Sequence, residues 1–179
     1  MRTPWKRSSF TALLLAAIAV TDVTAQREPE THFGLWLGGG IGGGWREGVA
    51  GPAGYLRIGG TPAEKLLIGA EVLVWTKTED LLPNKKQINI MATALFYPLY
   101  PNTTFGSEFF LKAGAGLGIA EAELGAFSNQ TGFGAAFGVG YDIRIDPNIF
   151  VTPNVDLLLQ TISGETMTSI LLTIGLGGH

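Results

Sequence analysis

Residues 66–76 read LLIGAEVLVWT, and the alternation within them decides the fold. Every second residue from Leu66 to Val74 is apolar, whereas Glu71 belongs to the other set. Successive residues of a β-strand point to opposite faces of a sheet. The stretch therefore predicts a strand with one wholly apolar face and one face that carries the charge.

The same alternation recurs in seven further segments of the chain. They cover residues 33–42, 55–59, 87–98, 109–119, 133–144, 151–160 and 170–177. The pattern predicts eight strands, most of them roughly nine to fourteen residues long, whereas strands of ordinary globular proteins average about 5–6. A tilted strand that crosses a bilayer needs about 9–11 residues. Strand length therefore points to a membrane.

Charge separates cleanly between the two sets of alternating residues. None of the charged strand residues lies in the apolar set; they are Arg57, Glu71, Lys112, Asp142, Arg144 and Asp156. A Lys or Arg on the lipid face at mid-bilayer costs about 2–4 kcal/mol, so a membrane barrel excludes charge there. A soluble barrel has the reverse pattern. Because backbone groups in hydrocarbon must all be paired, the sheet must close. The sequence predicts an all-β fold, an eight-stranded antiparallel up-and-down transmembrane β-barrel.

The connections between the predicted strands fall into two kinds. Those at one end contain proline and are short: 61–64, 98–102 and 146–148. Those at the other end are more polar and a little longer, as expected of outer loops: 46–51, 77–86, 120–130 and 161–166. Within a strand, Pro153 lacks a ladder donor and predicts a local bulge.

Aromatic residues at the predicted strand ends suggest girdles at the two membrane interfaces. They are Phe33, Trp45, Phe96, Tyr97, Tyr100, Phe109, Phe133, Tyr141 and Phe150.

The N-terminus carries the three parts of a secretory signal peptide. Basic residues precede an apolar run from Phe10 to Val20, and Val23-Thr24-Ala25 forms a small-residue cleavage pattern. We expect residues 1–25 to be removed and residues 26–179 to form the barrel domain. The chain has no cysteine and a net charge of −3, which excludes a disulfide framework and argues against nucleic-acid binding.

The whole predicted mature chain resembles the small eight-stranded outer-membrane barrels of the OmpA/OmpX-type β-barrel domain family. The strand pattern and features such as Leu95-Phe96-Tyr97-Pro98 before a turn carry the resemblance. It implies a monomer in the bacterial outer membrane, with outer-membrane lipids and the barrel assembly machinery as partners. The chain departs from the family in ending Leu176-Gly177-Gly178-His179, where an aromatic residue usually stands.

Two groups of lumen residues are candidate sites. The six charged strand residues sum to zero, and they are expected to form a structural ionic network; an ion-selective constriction or proton path is the alternative. Five apolar residues are expected in the outer half of the lumen: Leu73, Trp75, Met91, Leu158 and Leu171. They predict either packing or a small apolar pocket for a hydrophobic solute.

Motifs for catalysis and metal binding are weak. The two histidines, His32 and His179, lie at the chain ends, distant in sequence from the serines that could act as nucleophiles. We therefore expect no catalytic residues, no metal site and no cofactor. Three hypotheses remain: a structural or surface-interaction role for a porin-like barrel with a mostly closed lumen, passage or binding of small hydrophobic molecules, and a lipid-modifying barrel enzyme.

Overall fold

The computed structural model describes residues 34–79, 82–101, 106–122 and 129–178. These ranges contain the strands β1 (Leu35–Arg46), β2 (Val49–Ala63), β3 (Leu66–Glu79), β4 (Leu82–Phe96), β5 (Phe109–Ala122), β6 (Asn129–Tyr141), β7 (Ile143–Asp146), β8 (Ile149–Ile162) and β9 (Glu165–Gly178). No helix within them is long and apolar enough to span a bilayer. The predicted signal peptide, residues 1–25, lies outside the described residues.

The sheet closes on itself. Pairing runs antiparallel from β1 through β6, and β1 also pairs with β9, which pairs with β8. Both β6 and β7 pair with β8, so they occupy one position in the wall. The result is a closed eight-stranded antiparallel barrel, which confirms the predicted fold class. We call the end where β1 begins and β9 ends the terminal end, and the opposite end the far end.

β6 and β7 together form one strand of the barrel wall, and this strand is interrupted at Asp142. Gly140 pairs with Asn154 and Ile143 pairs with Val151, so the register is the same on both sides of the interruption. In that register, Pro153 lies opposite Tyr141. Because proline has no backbone N–H, the ladder loses a bond there without gaining an extra residue. The predicted bulge at Pro153 is therefore wrong.

Two of the four far-end connections lie wholly within the described residues, and both are shorter than predicted, whereas those predicted at 77–86 and 120–130 include residues outside the described ranges. Glu47-Gly48 joins β1 to β2, and Ser163-Gly164 joins β8 to β9. All four residues have positive φ, at 50°, 81°, 53° and 84° respectively, as two-residue type I′ hairpins require. The longest connection, residues 97–108, lies instead at the terminal end. The strands continue through polar residues that the sequence pattern assigned to loops, and this is why these two connections are shorter than the predicted loops 46–51 and 161–166.

The wall separates its side chains as the alternation predicts. Leu35, Ile41 and Leu56 on the outer face are each more than half exposed, whereas Leu73 and Asp156 on the inner face are fully buried. Residues of the inner face fill the lumen, so the hydrophobic core of this protein lies inside the barrel.

The aromatic girdle is only partly as expected. Trp45, Phe96 and Phe133 are exposed on the outer face. Three other predicted girdle residues are buried inside instead: Tyr97, Tyr100 and Phe150. Tyr97 and Phe150 belong to the inward set of their own segments, and position at a strand end does not override that set.

Candidate functional site

The lumen contains a buried ion triad at mid-height. The Lys112 Nζ atom lies 2.8 Å from Glu71 Oε1 and 2.6 Å from Asp156 Oδ1, and all three side chains are completely buried. The strands that carry them, β5, β3 and β8, are not adjacent in the wall. Lys112 therefore reaches across the lumen and ties three parts of the barrel together.

The triad is extended by a neutral amide. Asn154 Nδ2 donates a hydrogen bond to Asp156 Oδ2 at 2.5 Å. Hydrogen bonds of this kind offset part of the large desolvation penalty of a buried carboxylate. The arrangement holds charge in place and excludes water from it.

Asp142 is held separately, nearer the terminal end. Its carboxylate accepts hydrogen bonds from the Tyr97 hydroxyl at 2.7 Å and from Thr152 Oγ1 at 2.5 Å. The carboxylate is therefore bound by two hydroxyl groups, and it takes no part in the Lys112 triad. The strand formed by β6 and β7 is thus interrupted at the residue whose side chain makes these hydrogen bonds in the lumen.

Arg57 lies between the triad and the terminal end, among aromatic rings. Its guanidinium carbon is 4.8 Å from the ring centroid of Tyr55, 5.4 Å from that of Phe110 and 5.7 Å from that of Trp36. Such distances allow cation–π attraction, which is stronger when the cation is desolvated. Arg57 is buried, so the three rings replace part of the stabilisation that hydration would give to its charge.

The structure brings three of the six charged residues of the predicted network into direct contact, and Arg57 interacts electrostatically with Asp142 and Glu71. Glu71, Lys112 and Asp156 are in direct contact, Asp142 binds hydroxyl groups, and Arg57 stacks on rings. Arg144, in β7 at the terminal end, is half-buried. The sequence placed these side chains in the lumen, but it carried no information about which of them meet.

The five residues of the predicted apolar pocket are brought together. Each is almost completely buried, and they pack with Ala53, Tyr55 and Ala136 in one cluster, which we call the far-half cluster. A groove of about 690 Å³ exists elsewhere, on the outer wall, where Ile41, Leu56 and Ile174 line it. None of the five lines that groove. In this structure, then, they act as packing side chains.

A second apolar cluster fills the terminal end of the lumen, and sequence reasoning missed it as a unit. We call it the terminal plug; its residues are Trp36, Leu67, Leu95, Tyr97, Tyr100 and Phe110. The rings of Tyr97 and Phe110 are 5.6 Å apart. Tyr100 comes from the long connection after β4, which therefore folds back over this end. Most of these residues lie in the inward set, and that was the signal that could have found them.

The described ranges were predicted to hold no metal site, and the grouping of their possible ligands bears on that prediction. They contain no group of three or more His, Asp or Glu side chains that could hold a metal ion. The carboxylates of the lumen are instead bound by Lys112 or by hydroxyl and amide groups, as described above.

A solved structure of another small barrel shares this architecture. Neisserial surface protein A (NspA) is 15% identical to the chain with a TM-score of 0.60, over 80% of this chain and 94% of that one. The chain has the fold of a small outer-membrane barrel. Two further barrels are Ail, the attachment invasion locus protein of Yersinia pestis, and the outer membrane protein OprG from Pseudomonas aeruginosa. They are 12% and 13% identical, with TM-scores of 0.49 and 0.48, over 80% and 84% of this chain and 96% and 99% of theirs.

At the level of sequence, no protein-family model and no curated protein matches the chain. The likeness of this chain to NspA therefore lies in its fold. In such a barrel the alternation of side chains constrains polarity but leaves the choice of residue free. The NspA structure confirms the small-barrel fold that the strand pattern predicts.

Proposed function

We propose that the protein is a monomeric barrel of the bacterial outer membrane with a structural or surface-interaction role, and that it forms no open pore. The observation that carries the proposal is the filled lumen. The terminal plug, the ion triad and the far-half cluster follow one another along the barrel, and nearly all of their side chains are fully buried. Eight strands leave an interior that side chains can just fill.

The outer face supports the membrane part of the proposal. Its exposed residues are large and apolar along the middle of the strands, including Ile41, Leu117 and Ile174. All six charged strand residues predicted to avoid this face belong to the inward set. Outer-membrane lipids are thus the natural surroundings of the wall. Export through the signal peptide in residues 1–25 and insertion by the barrel assembly machinery belong to the same proposal.

The surface role is supported by the far end. In the described hairpins, only two residues connect β1 to β2 and β8 to β9, so these hairpins rise little above the wall. A partner would contact a low rim rather than a long loop. Near this rim the half-buried Arg46 guanidinium lies 5.7 Å from the ring centroid of Trp75, whose ring is buried, so the rim offers the charge of Arg46 without aromatic surface from Trp75.

The second hypothesis, passage of small hydrophobic molecules, needs space that the far-half cluster fills. Leu73, Leu158 and Leu171 would have to separate before a solute could enter. For the third hypothesis, a lipid-modifying enzyme, the lumen residues that the structure describes offer as candidate bases only carboxylates that already bind Lys112 or hydroxyl and amide groups. We therefore place both below the structural role.

Two measurements test the proposal. The mature chain, refolded in detergent, should migrate differently on an SDS gel before and after boiling, because a closed barrel has no free backbone edge. In a planar bilayer the same protein should give no steady conductance. Steady single-channel currents from the unaltered protein would overturn the closed-lumen part, and a chain that is soluble without detergent would overturn the membrane part.

A control variant keeps the conductance test informative. Truncating Trp36 and Phe110 to alanine removes two rings from the terminal plug, and truncating Leu73 and Leu158 removes side chains from the far-half cluster. We expect currents only when both clusters are opened and Lys112 is also truncated to alanine, because the ion triad fills the lumen between them. Currents from the far-half variant alone would favour the passage hypothesis instead.

A further inference from the structure

The groove of about 690 Å³ on the outer wall lies where two rows of outward-facing residues cross the strands β3, β2, β1 and β9. The first row is Val74, Gly54, Ile41 and Ile174, and the second is Val72, Leu56, Gly39 and Leu176. Each row has one glycine between bulkier side chains, and the two glycines lie on the adjacent strands β1 and β2. We call this feature the wall groove.

The two glycines form the floor of the wall groove. A Cβ on Gly54 would lie 3.0 Å from the backbone oxygen of Gly40, and a Cβ on Gly39 would lie 2.8 Å from Leu56 Cδ2. The side chains of Ile41 and Leu56 rise beside this floor and are 77% and 67% exposed. A glycine inside a strand often marks a place where a ligand or another backbone approaches closely. The floor is therefore backbone, and branched apolar side chains stand on either side of it.

The lining of the wall groove is apolar. Among its described lining residues only Tyr55 has a polar side-chain group, and that side chain points into the lumen, where it packs in the far-half cluster. The volume falls within the range of about 300–1,000 Å³ that is typical of ligand sites. The groove therefore offers an occupant van der Waals contacts and no side-chain hydrogen bond, which suits hydrocarbon.

The shape of the groove favours a single chain over a second protein. Protein faces that meet inside a membrane use small residues, at which the backbones approach closely. Here Ile41 and Leu56 project beside the glycine floor, so they would hold a flat protein face away from it. A hydrocarbon chain is narrow enough to lie between them. The wall around the groove faces the hydrocarbon of the bilayer, so such chains surround it.

We propose that the wall groove is a binding site for one acyl chain of a bilayer phospholipid. The inference rests on the outer-membrane placement in the proposed function, and it deepens that proposal from lipid as surroundings to one lipid as ligand. A chain in the groove touches the floor and both sides at once, whereas a chain that crosses a projecting side chain touches it on one side only. Because no polar side chain faces the groove, the headgroup takes no part in recognition.

Native mass spectrometry of the refolded mature chain tests the site, with palmitoyl-oleoyl phosphatidylglycerol added to the detergent as the probe. We expect one phospholipid to remain on the barrel after the detergent has been stripped away. The phosphatidylethanolamine with the same chains should be retained equally, because the groove binds the chain. Dioctanoyl phosphatidylglycerol should be retained several-fold less, because its short chains leave part of the groove empty.

A pair of glycine variants makes the result specific. Gly39→Leu places a side chain on the floor, and its closest contact is the tip of Leu56, which is exposed and can turn away. The matched control is Gly43→Leu, in the same outward set of β1, where a Cβ meets nothing closer than 3.7 Å and which does not line the groove. We expect Gly39→Leu to lower phospholipid retention several-fold and Gly43→Leu to leave it unchanged.

Three outcomes would overturn the site: no phospholipid retained on the unaltered barrel, equal retention by Gly39→Leu and Gly43→Leu, or a mass of two barrels that only Gly39→Leu reduces to one. The last would assign the groove to a second copy of the chain. The comparison of chain lengths uses the unaltered protein, so it stands even where a variant does not fold. The gel shift before and after boiling reports the barrel separately, so an empty groove and a failed membrane barrel give different results.

Discussion

The outer and inner faces of the same wall follow opposite rules. On the outer face Ile41 is 77% exposed, whereas on the inner face Glu71, Lys112 and Asp156 are essentially inaccessible. A soluble barrel would reverse the two. The difference shows that the outside of this wall is fitted to hydrocarbon and that its inside must satisfy its own charges. A one-residue slip of any strand would exchange the faces, so each side of the wall can be tested by substitutions on one parity.

The largest expected effect is on the inner face, at Lys112. Lys112→Met leaves the carboxylates of Glu71 and Asp156 buried without a cation. Removing one partner of a buried ion pair destabilises by about 3–5 kcal/mol. We expect a loss of that order in the free energy of unfolding, measured by urea titration of the barrel in lipid vesicles with tryptophan fluorescence.

The control for Lys112 removes the whole triad. Replacing Glu71, Lys112 and Asp156 together by Gln, Met and Asn leaves no unpaired charge, and most of the lost stability should return. If the triple variant is as unstable as Lys112→Met, then packing at Lys112 and not its charge explains the effect.

The next effect is on the outer face. Ile41 lies in the middle of β1, where it pairs with Ile174 of β9. Ile41→Arg places a charge in the hydrocarbon and should cost about 2–4 kcal/mol in the same titration. Val49→Arg, at the first residue of β2, should cost about 0–1 kcal/mol because it lies near the interface. Equal costs at the two positions would contradict the placement of this wall in a bilayer.

A smaller effect is expected where charge meets aromatic rings inside. Arg57→Lys keeps the positive charge but replaces the planar guanidinium that faces Tyr55, Phe110 and Trp36. Cation–π contacts of a desolvated cation are worth about 2 kcal/mol, and lysine recovers only part of that. We expect a loss of about 1 kcal/mol. The matched change is Arg144→Lys, at a half-buried position, and it should cost less; an equal cost would mean that the rings contribute nothing special.

The smallest effects are expected for two hydrogen bonds made by hydroxyl groups, one buried and one exposed. Ser169→Ala removes the buried bond to Gln87 and should cost about 1 kcal/mol. Thr166→Ala removes an exposed bond between the hydroxyls of Thr161 and Thr166, 3.0 Å apart, and should change the free energy of unfolding by less. The same urea titration resolves the order of the two, and the reverse order would contradict a larger contribution from the buried hydroxyl of Ser169.

The alternation of residues was enough to predict the wall, because side chains along a strand alternate between its two faces and charge on the lipid-facing set is costly. It placed Arg57, Glu71 and Lys112 inside without any knowledge of their partners. It could not pair Asp142 with Tyr97, because contacts across a lumen depend on the shear of the whole barrel and not on neighbours in sequence. Tyr97 illustrates the conflict: its place at a strand end suggested an interface, whereas its parity placed it correctly in the lumen.

The turns were predicted least well. Glu47-Gly48 and Ser163-Gly164 are only two residues long, yet the sequence around them is polar and reads as loop. Polarity there reflects strands that continue beyond the hydrocarbon, and backbone pairing does not require apolar side chains. The glycines were the better signal, since a positive φ in a type I′ turn favours them.

The seam between β1 and β9 has a consequence for the order of events during folding. The other pairings in the wall join strands that follow one another along the chain, apart from β6 with β8 on either side of the short β7, whereas the seam joins the first strand to the last. Contacts between distant parts of a chain carry the greatest loop-closure entropy and form slowly. Until the seam forms, the molecule is an open sheet with two bare edges and with Lys112 facing whatever surrounds it. The inner face of the wall is therefore enclosed, and shielded from its surroundings, only when β1 pairs with β9.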